Sequence, residues 1–217
     1  MLSATSETLR LINAHPGDLT TVLHGILAKA AELCGGEAGS ITLDEGDFIR
    51  YVASHGPAMQ PYIGTSVKRD SLDPERFAVS PAGVMYVDDF AATTKGIAYF
   101  EELATVARVR SYAAVPLADD GAQVGALHMY RHEVRPFSSD ELTALAAFGE
   151  QASLAIANAR LVKDLAESLK LQTATSEVLA LISAHPGDLI AVMNGLIERA
   201  VRLCDADAGT VWRLAAR

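Results

Sequence analysis

The residues best suited to contact a ligand form two polar pairs, Ser40 with Thr42 and His128 with Tyr130. Each pair lies in a segment whose alternating pattern predicts a β-strand. Because successive side chains of a strand point to opposite faces, the two members of a pair share one face. Hydroxyl and imidazole groups on one sheet face can orient a small molecule by hydrogen bonding, which is binding rather than bond-making chemistry.

Motifs for catalysis or metal binding are missing from the sequence. No serine, histidine and aspartate set has the spacing of a nucleophile elbow. His132-Glu133 lacks the second histidine that a zinc protease places one helical turn further on. Gly35, Gly36 and Gly39 follow a predicted helix and precede a strand, the reverse of the order that anchors a phosphate at a helix N-terminus. We therefore expect no catalytic residues and no metal site.

Composition and charge disfavour several function classes. The chain has 217 residues and a formal net charge of −9, which disfavours nucleic-acid binding because that needs a basic face. No stretch approaches the roughly 18 apolar residues of a membrane-spanning helix, and the N-terminus lacks the pattern of a secretory signal. The two cysteines, Cys34 and Cys204, are too few for a disulfide framework. We expect a reducing, cytoplasmic location.

An internal repeat determines the predicted domain organisation. Residues 4–39 and 174–209 align at a constant offset of 170, and 20 of these 36 positions are identical. A period of this length corresponds to a whole domain with its linker. We predict one complete domain over residues 4–160, a helical linker over 161–173, and the truncated N-terminal part of a second copy over 174–217. We expect residues 186–217, which carry an amphipathic helix, to dock on another chain or on the first domain, or to be disordered.

Hydrophobic periodicity predicts the elements that must position the polar pairs. Asp18 is a suitable N-cap for a helix that has one apolar face and ends at Gly35-Gly36. Residues 55–82, rich in Gly, Pro, Ser and Asp, are predicted to form a long loop that could order over a ligand. The expected helices are 5–14, 19–34 and 97–108, and the expected strands are 40–43, 48–52, 84–87, 111–117 and 123–131.

A long helix is predicted after the last strand. Ser138 and Glu141 have the spacing of a capping box. Apolar residues recur at alternating spacings of three and four from Leu145 to Leu169, which is typical of a coiled coil. The first half of this helix is expected to cover the domain's own sheet. We expect the part beyond residue 160 to pair with the same helix of a second chain, giving a homodimer.

The order of these elements and the wording of two segments resemble the GAF domain family. The segment GALHMYRHEVRPFSSDELTALAAFGEQASLAIANARL (125–161) is similar to the closing strand and exit helix of GAF domains in bacterial multi-sensor proteins. The segment ATSEVLALISAHPGDL resembles the junction between successive GAF domains in sensor histidine kinases and adenylate/guanylate cyclases. The resemblance implies an α+β fold in which a central antiparallel sheet carries terminal helices on one face and ligand-side loops with short helices on the other.

The resemblance also implies a ligand pocket between the sheet and those loops. Ser40 matches the serine that opens the first strand in nucleotide-binding members, and Tyr99 with Phe100 would form a lid. The alternative is that these side chains only complete a small core. The predicted pocket residues are Ser40, Thr42, Tyr99, Phe100, Tyr112, His128 and Tyr130.

Known GAF cofactors can be compared with the sequence residue by residue. Bilin-binding members attach the chromophore through a pocket cysteine, and no cysteine lies between residues 35 and 203, so covalent bilin is not expected. Cyclic-nucleotide-binding members carry Asn-Lys at the end of the last strand. Tyr130-Arg131 stands there instead, and cyclic-nucleotide binding stays open. His128 alone could ligate haem, but a lone strand histidine is more often a pocket wall, and we do not expect haem.

These patterns predict a non-catalytic sensory module of a larger signal-transduction protein. It would bind an unidentified small molecule and relay binding through a dimeric helix to a sensor histidine kinase of a two-component system. Two alternatives stay open: a dimerisation spacer with a degenerate pocket, and the regulatory region of an adenylate/guanylate cyclase. A pocket of roughly a few hundred Å³ would favour ligand binding, whereas a solidly filled domain would favour the spacer.

Overall fold

A computed structural model of the chain describes residues 18–69, 74–184, 188–203 and 206–212. The helix predicted over residues 5–14 lies outside these ranges. The chain divides into two compact units, residues 1–160 and 161–217. None of the helices in the described ranges combines the length and the apolarity needed to cross a bilayer.

The described residues of the first unit form seven strands and three α-helices, together with the first part of a fourth α-helix. The strands are β1 Ala38–Glu45, β2 Phe48–His55, β3 Ser66–Lys68, β4 Ala78–Val79, β5 Met85–Val87, β6 Ser111–Asp119 and β7 Ala122–Arg131. The helices are α1 Leu19–Cys34, α2 Phe90–Thr93, α3 Ala98–Thr105 and α4 Ser139–Ala184. The strands form one sheet in the order β3-β2-β1-β7-β6-β5-β4, and all pairs are antiparallel. The predicted α+β class is confirmed.

Helix α1 covers one face of the sheet. Asp18 caps it, because its carboxylate accepts a hydrogen bond from the Thr21 amide at 3.1 Å, as predicted. The helix ends at Gly35, whose φ of 59° is left-handed and favours glycine. Its apolar side chains are buried against the sheet: Val22, Leu23, Ile26, Leu27, Ala30, Ala31 and Cys34.

Helix α4 packs on the same face and begins with the predicted capping box. The Ser138 amide donates to the Glu141 carboxylate at 2.8 Å, and the Glu141 amide donates to the Ser138 hydroxyl at 3.3 Å. Buried residues continue along α4 as far as Ile156. Every residue from 161 to 171 is exposed, so the sheet covers only the first part of this helix.

Two close approaches fix strand β7 and helix α4 against the rest of the unit. A Cβ at Gly125 would lie 2.1 Å from the Thr42 carbonyl oxygen, and one at Gly149 would lie 2.3 Å from Cγ1 of Val115. Real Cβ atoms do not come so close to other heavy atoms. Glycine is therefore required at both positions for the observed spacing of backbone and sheet.

The other face of the sheet is covered by α2, α3 and the long loop. A bulge lies between Ile41 and Thr42 of β1, where the pairing with β2 shifts by one residue. Val52 and Ala53 consequently both pack on the helix side, and Tyr51 joins the aromatic cluster on the opposite face. The predicted loop over 55–82 includes two short strands, β3 and β4, that extend the sheet at both edges.

In the second unit, helix α5 (Leu189–Leu203) packs against the last turns of α4. A Cβ at Gly195 would lie 2.5 Å from Cδ2 of Leu181, so the two helices touch there. Arg199 lies 3.5 Å from the Glu177 carboxylate. Within its own unit, α5 packs on an apolar surface of α4, and the expectation that residues 186–217 dock on another chain or on the first domain, or are disordered, stays a prediction.

Candidate functional site

A cavity of about 390 Å³ lies between the sheet and the elements that cover its second face. This volume is within the usual range of small-molecule sites. Strands β1, β2, β6 and β7 form its floor, and α2, α3 and the loop before β4 form its walls. The lining residues are Thr42, Asp44, Ile49, Tyr51, Arg69, Phe77, Met85, Phe90, Tyr99, Phe100, Leu103, Tyr112, Gln123, Ala126, His128 and Tyr130.

Six of the seven residues predicted for the pocket line this cavity. The exception is Ser40, which is fully buried and does not border the cavity. Its hydroxyl instead lies 2.9 Å from the hydroxyl of Tyr130. Ser40 thus holds a cavity residue in place, because Tyr130 is its diagonal neighbour on β7, two residues from its direct partner His128.

A chain of hydrogen bonds crosses the floor of the cavity and is centred on His128. Its Nε2 lies 2.9 Å from the Thr42 hydroxyl, and its Nδ1 lies 2.8 Å from the Tyr112 hydroxyl. His128 pairs with Ser40 of β1, two residues from Thr42, and with Ala114 of β6, two residues from Tyr112. The antiparallel register therefore builds this chain from three adjacent strands.

Burial keeps His128 uncharged. Surrounding protein excludes water and lowers the pKa of His128 to about 4, although part of its ring borders the cavity. At neutral pH the imidazole therefore has one N–H donor and one acceptor nitrogen. Haem does not fit this arrangement, because both ring nitrogens already have hydrogen-bond partners and neither is available as an axial ligand.

Aromatic rings form most of the cavity wall. Tyr112 stacks beside His128 and Tyr130 at centroid distances of 5.9 and 5.6 Å. It also contacts Phe77 and Phe90 at 5.3 and 5.4 Å. Such tilted and stacked ring pairs are the favoured aromatic geometries. The wall is therefore preorganised by contacts among its own rings.

The phenol groups of the wall stay protonated. The hydroxyls of Tyr51 and Tyr99 form a hydrogen bond with each other across the cavity. Burial raises the pKa of Tyr99 and of Tyr112, and it raises the pKa of Tyr51 and Tyr130 in the same way. These side chains act as neutral hydroxyl groups at any physiological pH.

Charged side chains occur only at the edge of the cavity among its described lining residues. Arg69 and Asp44 form an ion pair there, with Nη2 and Oδ2 2.9 Å apart. The Arg69 side chain is 47% exposed and that of Asp44 only 13%, so the pair marks where the cavity meets solvent. The two charges cancel, and the lining as a whole is neutral.

Arg131 directly follows Tyr130 but points to the opposite face of the sheet. It is fully buried, and its guanidinium lies 3.8 Å from the ring centroid of Phe137. Burial alone would raise the pKa of Glu141, but hydrogen bonds from Ser138 and Arg131 lower it. The guanidinium donates to the carbonyl oxygens of Cys34, Gly35, Arg135 and Pro136 and to the Glu141 carboxylate, at 2.6–3.1 Å. We call this group the Arg131 cluster.

The Arg131 cluster also bears on cyclic-nucleotide binding. Arg131, the basic residue at the end of β7, lies on the helix side of the sheet and already donates hydrogen bonds to five oxygen atoms. It cannot contact a phosphate in the cavity. The residues present therefore do not fit the anionic part of a cyclic nucleotide.

The thiol chemistry of bilin attachment does not fit this site either. Cys34, the one cysteine in the described part of the chain, belongs to the helix-side core. Burial raises its pKa to about 11, so the thiol stays protonated and unreactive. The described residues also contain no group of three or more potential metal ligands.

Sequence reasoning missed several lining residues. Tyr51 could not be assigned to the cavity face, because the β1–β2 bulge interrupts the alternation of side chains between the two faces of the sheet. Phe77 follows the loop before β4, and Phe90 opens a helix of four residues; neither lies in a periodic segment. Arg131 was noted only as a departure from a motif. Alternation from Tyr130 would have placed it on the helix side.

Comparison with known proteins agrees with this architecture. The family model described as GAF domain matches residues 17–157. The phycoerythrobilin-bound GAF domain of a cyanobacterial phytochrome superposes with a TM-score of 0.58 at 18% identity, covering 74% of this chain and 96% of that one. A domain assigned to a two-component sensor histidine kinase of Sinorhizobium meliloti gives 0.51 at 18% identity, covering 64% and 90%.

Another of the structural relatives is a longer chain. The bacteriophytochrome of the photosynthetic bacterium R. palustris gives a TM-score of 0.72 at 10% identity, covering 94% of this chain. The chain spans about half of that protein, 46% of its length. No curated protein matches the sequence. At these identities the structural relatives show the fold alone, but the family model covers well over half of the chain, and the protein belongs to the GAF domain family.

Proposed function

We propose that the first unit is a sensory module that binds a small molecule in the cavity and relays its binding to helix α4. The cavity supports this proposal by its volume of about 390 Å³ and by its mixture of aromatic walls and a few hydrogen-bonding groups. Ligand sites typically have this composition. The described residues that line the cavity include no cluster of reactive side chains that would favour catalysis over binding.

The observation that carries the proposal is the placement of two consecutive residues of β7. Tyr130 borders the cavity, whereas Arg131 binds the carbonyl oxygens at the end of α1 and the capping box of α4. A ligand that shifts the backbone at Tyr130 would also shift Arg131, its neighbour in the chain. The first turn of α4 would respond only if the ligand binds two arrangements of this strand with different affinity.

A two-part experiment tests this function. A small-molecule library is screened by thermal shift, and a compound at 100 times its Kd should stabilise the domain by about 2.7 kcal/mol, or raise its Tm by about 5–10 °C. Hydrogen exchange of residues 139–150 should then change on binding. In Arg131→Lys the ligand should still bind but leave that exchange unaltered, since lysine cannot reproduce the five-oxygen geometry. A library without any stabilising compound would contradict the proposal.

Dimerisation through α4 is the second part of the proposed function. Beyond the sheet, the stripe of three-and-four spacing exposes large apolar side chains: Val162 and Leu169 are each 53% exposed. A second copy of the helix would bury this surface in a coiled coil. Val162→Glu should shift the chain from dimer to monomer in analytical ultracentrifugation, whereas Glu167→Lys, at an exposed polar position off the stripe, should not.

The output is proposed to be a histidine kinase. The structural relatives include a domain assigned to a two-component sensor histidine kinase, and the family resemblance points the same way. Residues 161–173 would then be a helical linker, and residues 174–217 would begin a second GAF domain, as the 20 identities between the two segments support. Sequencing the neighbouring coding region tests both assignments directly.

A dimerisation spacer is the alternative function, and one observation favours it. The polar groups of the cavity already pair with each other, as in Thr42–His128–Tyr112 and Tyr51–Tyr99. A cavity without a ligand would still be stable in this state. The thermal-shift screen separates the two functions, since a spacer gains no stability from any compound while its dimer stays intact.

A further inference from the structure

We infer that the ligand is an uncharged, flat aromatic compound that bears a hydrogen-bond acceptor such as a ketone or quinone oxygen. This inference rests on the proposed function and specifies the chemistry of the same cavity. Three independent features of the lining support it: its ring content, its charge balance and its hydrogen-bond donors.

The ring content favours an aromatic ligand. Eight of the sixteen lining residues carry rings, and the cavity holds roughly one or two fused rings at its volume of about 390 Å³. Phe77 and Phe90 each contact Phe100 on the side opposite the sheet. Edge and face contacts with such rings favour an aromatic guest beyond its apolar area alone.

The charge balance favours an uncharged ligand. Asp44 and Arg69 neutralise each other at the edge of the cavity, His128 is neutral, and the tyrosines are protonated. A charged ligand would lose its hydration without meeting an opposite charge, which is costly in a buried site. Hydroxyl groups alone would have to compensate an anion, and the paired Asp44 would be the nearest partner of a cation.

The donors can be counted along the chain Thr42–His128–Tyr112. The two hydroxyls and the neutral imidazole have three polar hydrogens, and two hydrogen bonds join the three groups. In either tautomer of His128, one hydroxyl at an end of the chain keeps a hydrogen that it does not donate. Within the described residues, neither Thr42 nor Tyr112 has another hydrogen-bond partner for it. Both ends border the cavity, so a ligand acceptor completes the chain.

Four naphthalene derivatives of nearly equal shape test this inference by calorimetry. They are 2-acetylnaphthalene, which is neutral with an acceptor; 2-naphthoate, an anion; 2-naphthamidinium, a cation; and 2-isopropylnaphthalene, which is neutral without an acceptor. The ketone should bind the wild-type chain at least about tenfold more tightly than either ion. It should bind about tenfold more tightly than the isopropyl compound, which leaves the spare donor unpaired.

Substitutions of a cavity residue test whether the compounds bind in the cavity. Ala126 lines the cavity and is 7% exposed, so Ala126→Trp should fill it and abolish ketone binding. Ala126→Leu is a milder second variant that should weaken binding if the tryptophan prevents folding. Ala118 lies on the neighbouring strand β6 and is exposed, so Ala118→Leu is the matched control and should bind normally. Circular dichroism and urea midpoints verify that each variant is folded.

The outcomes distinguish this inference from the proposed function. If an ion binds as tightly as the ketone and Ala126→Trp abolishes its binding, the cavity is a ligand site but the neutral class is wrong. If the isopropyl compound binds as tightly as the ketone, the inferred hydrogen-bond acceptor on the ligand is wrong. Binding that Ala126→Trp leaves intact lies elsewhere and overturns the inference. If none of the four compounds binds while the library screen yields a ligand, the inference fails and the proposed function stands.

Discussion

Helices α1 and α5 have nearly the same apolar pattern but reach very different degrees of burial. Leu27 of α1 is fully buried against the sheet, whereas the equivalent residue of α5, Ile197, is only partly buried. Leu189 and Ile190 at the start of α5 are 51% and 74% exposed. The repeat thus specifies that a helix forms in both places, while the surface available to it determines how much stability that helix contributes.

The first prediction removes the Arg131 cluster, which holds the end of α1. Arg131→Met leaves buried carbonyl oxygens at the end of α1 without donors, and it should lower the free energy of unfolding by about 3–5 kcal/mol. Urea denaturation measures this loss. Arg135→Met is the matched control, since Arg135 also donates to Gly35 but from an exposed position, and it should cost about 1 kcal/mol or less. Equal losses in both variants would show that burial of Arg131 is unimportant.

The second prediction compares the two helices at equivalent positions. Leu27→Ala should destabilise the first unit by about 2–5 kcal/mol, because it creates a cavity in a fully buried core. Ile197→Ala should cost about 1 kcal/mol, since its side chain keeps contact with water. Urea unfolding followed by circular dichroism, with hydrogen exchange to locate each helix, gives both values. A similar loss at both sites would mean that α5 is covered in solution by another surface.

The third prediction concerns the pH dependence of the stability of the first unit. The folded-state pKa of His128, about 4, lies below the usual value of 6.5, so the unfolded chain binds more protons between these values. Stability is therefore full above pH 6.5 and falls as the pH drops toward 4, by at most about 3 kcal/mol. His128→Gln should remove this fall, whereas His132→Gln should retain it. Thermal unfolding between pH 4 and 7 measures the effect, and an unchanged slope in His128→Gln would contradict it.

The smallest expected effect concerns the polar contact between α5 and α4. Glu177 and Arg199 are 3.5 Å apart, and the Glu177 side chain is 53% exposed. Such a pair contributes about 0–1 kcal/mol, so Glu177→Gln should change the stability of α5 very little. Hydrogen exchange of residues 189–203 measures it. A loss above 1 kcal/mol would mean that this contact, and not apolar packing, holds α5 in place.

The sequence was sufficient for the elements that obey a local rule. The capping box of Ser138 and Glu141, the Asp18 cap and the strand pairs with uniform alternation all appear as expected, because each depends on residues a few positions apart. Thr42, Tyr112, His128 and Tyr130 were placed on one sheet face by alternation together with the family resemblance.

The remainder depended on contacts between distant segments, which alternation does not encode. Ser40 lies on the expected face but beneath Tyr130, because the close pairing of β1 and β7 leaves it no access to the cavity. To predict Tyr51 as a lining residue, one would have to know the position of the bulge. To predict Phe77 and Phe90, one would have to know the path of irregular segments. The five oxygens around Arg131 come from three separate stretches of chain, so no local pattern could assemble them.

The glycines at positions 125 and 149 have a consequence for how this domain can diverge. Gly125 lies against the Thr42 backbone and Gly149 against the Val115 side chain, and neither contact leaves room for a methyl group. Neither glycine lines the cavity, so both belong to the scaffold. Met85, Leu103 and Ala126 border the cavity without such constraints. Residues that line the cavity can therefore change during evolution while the scaffold that surrounds them is preserved.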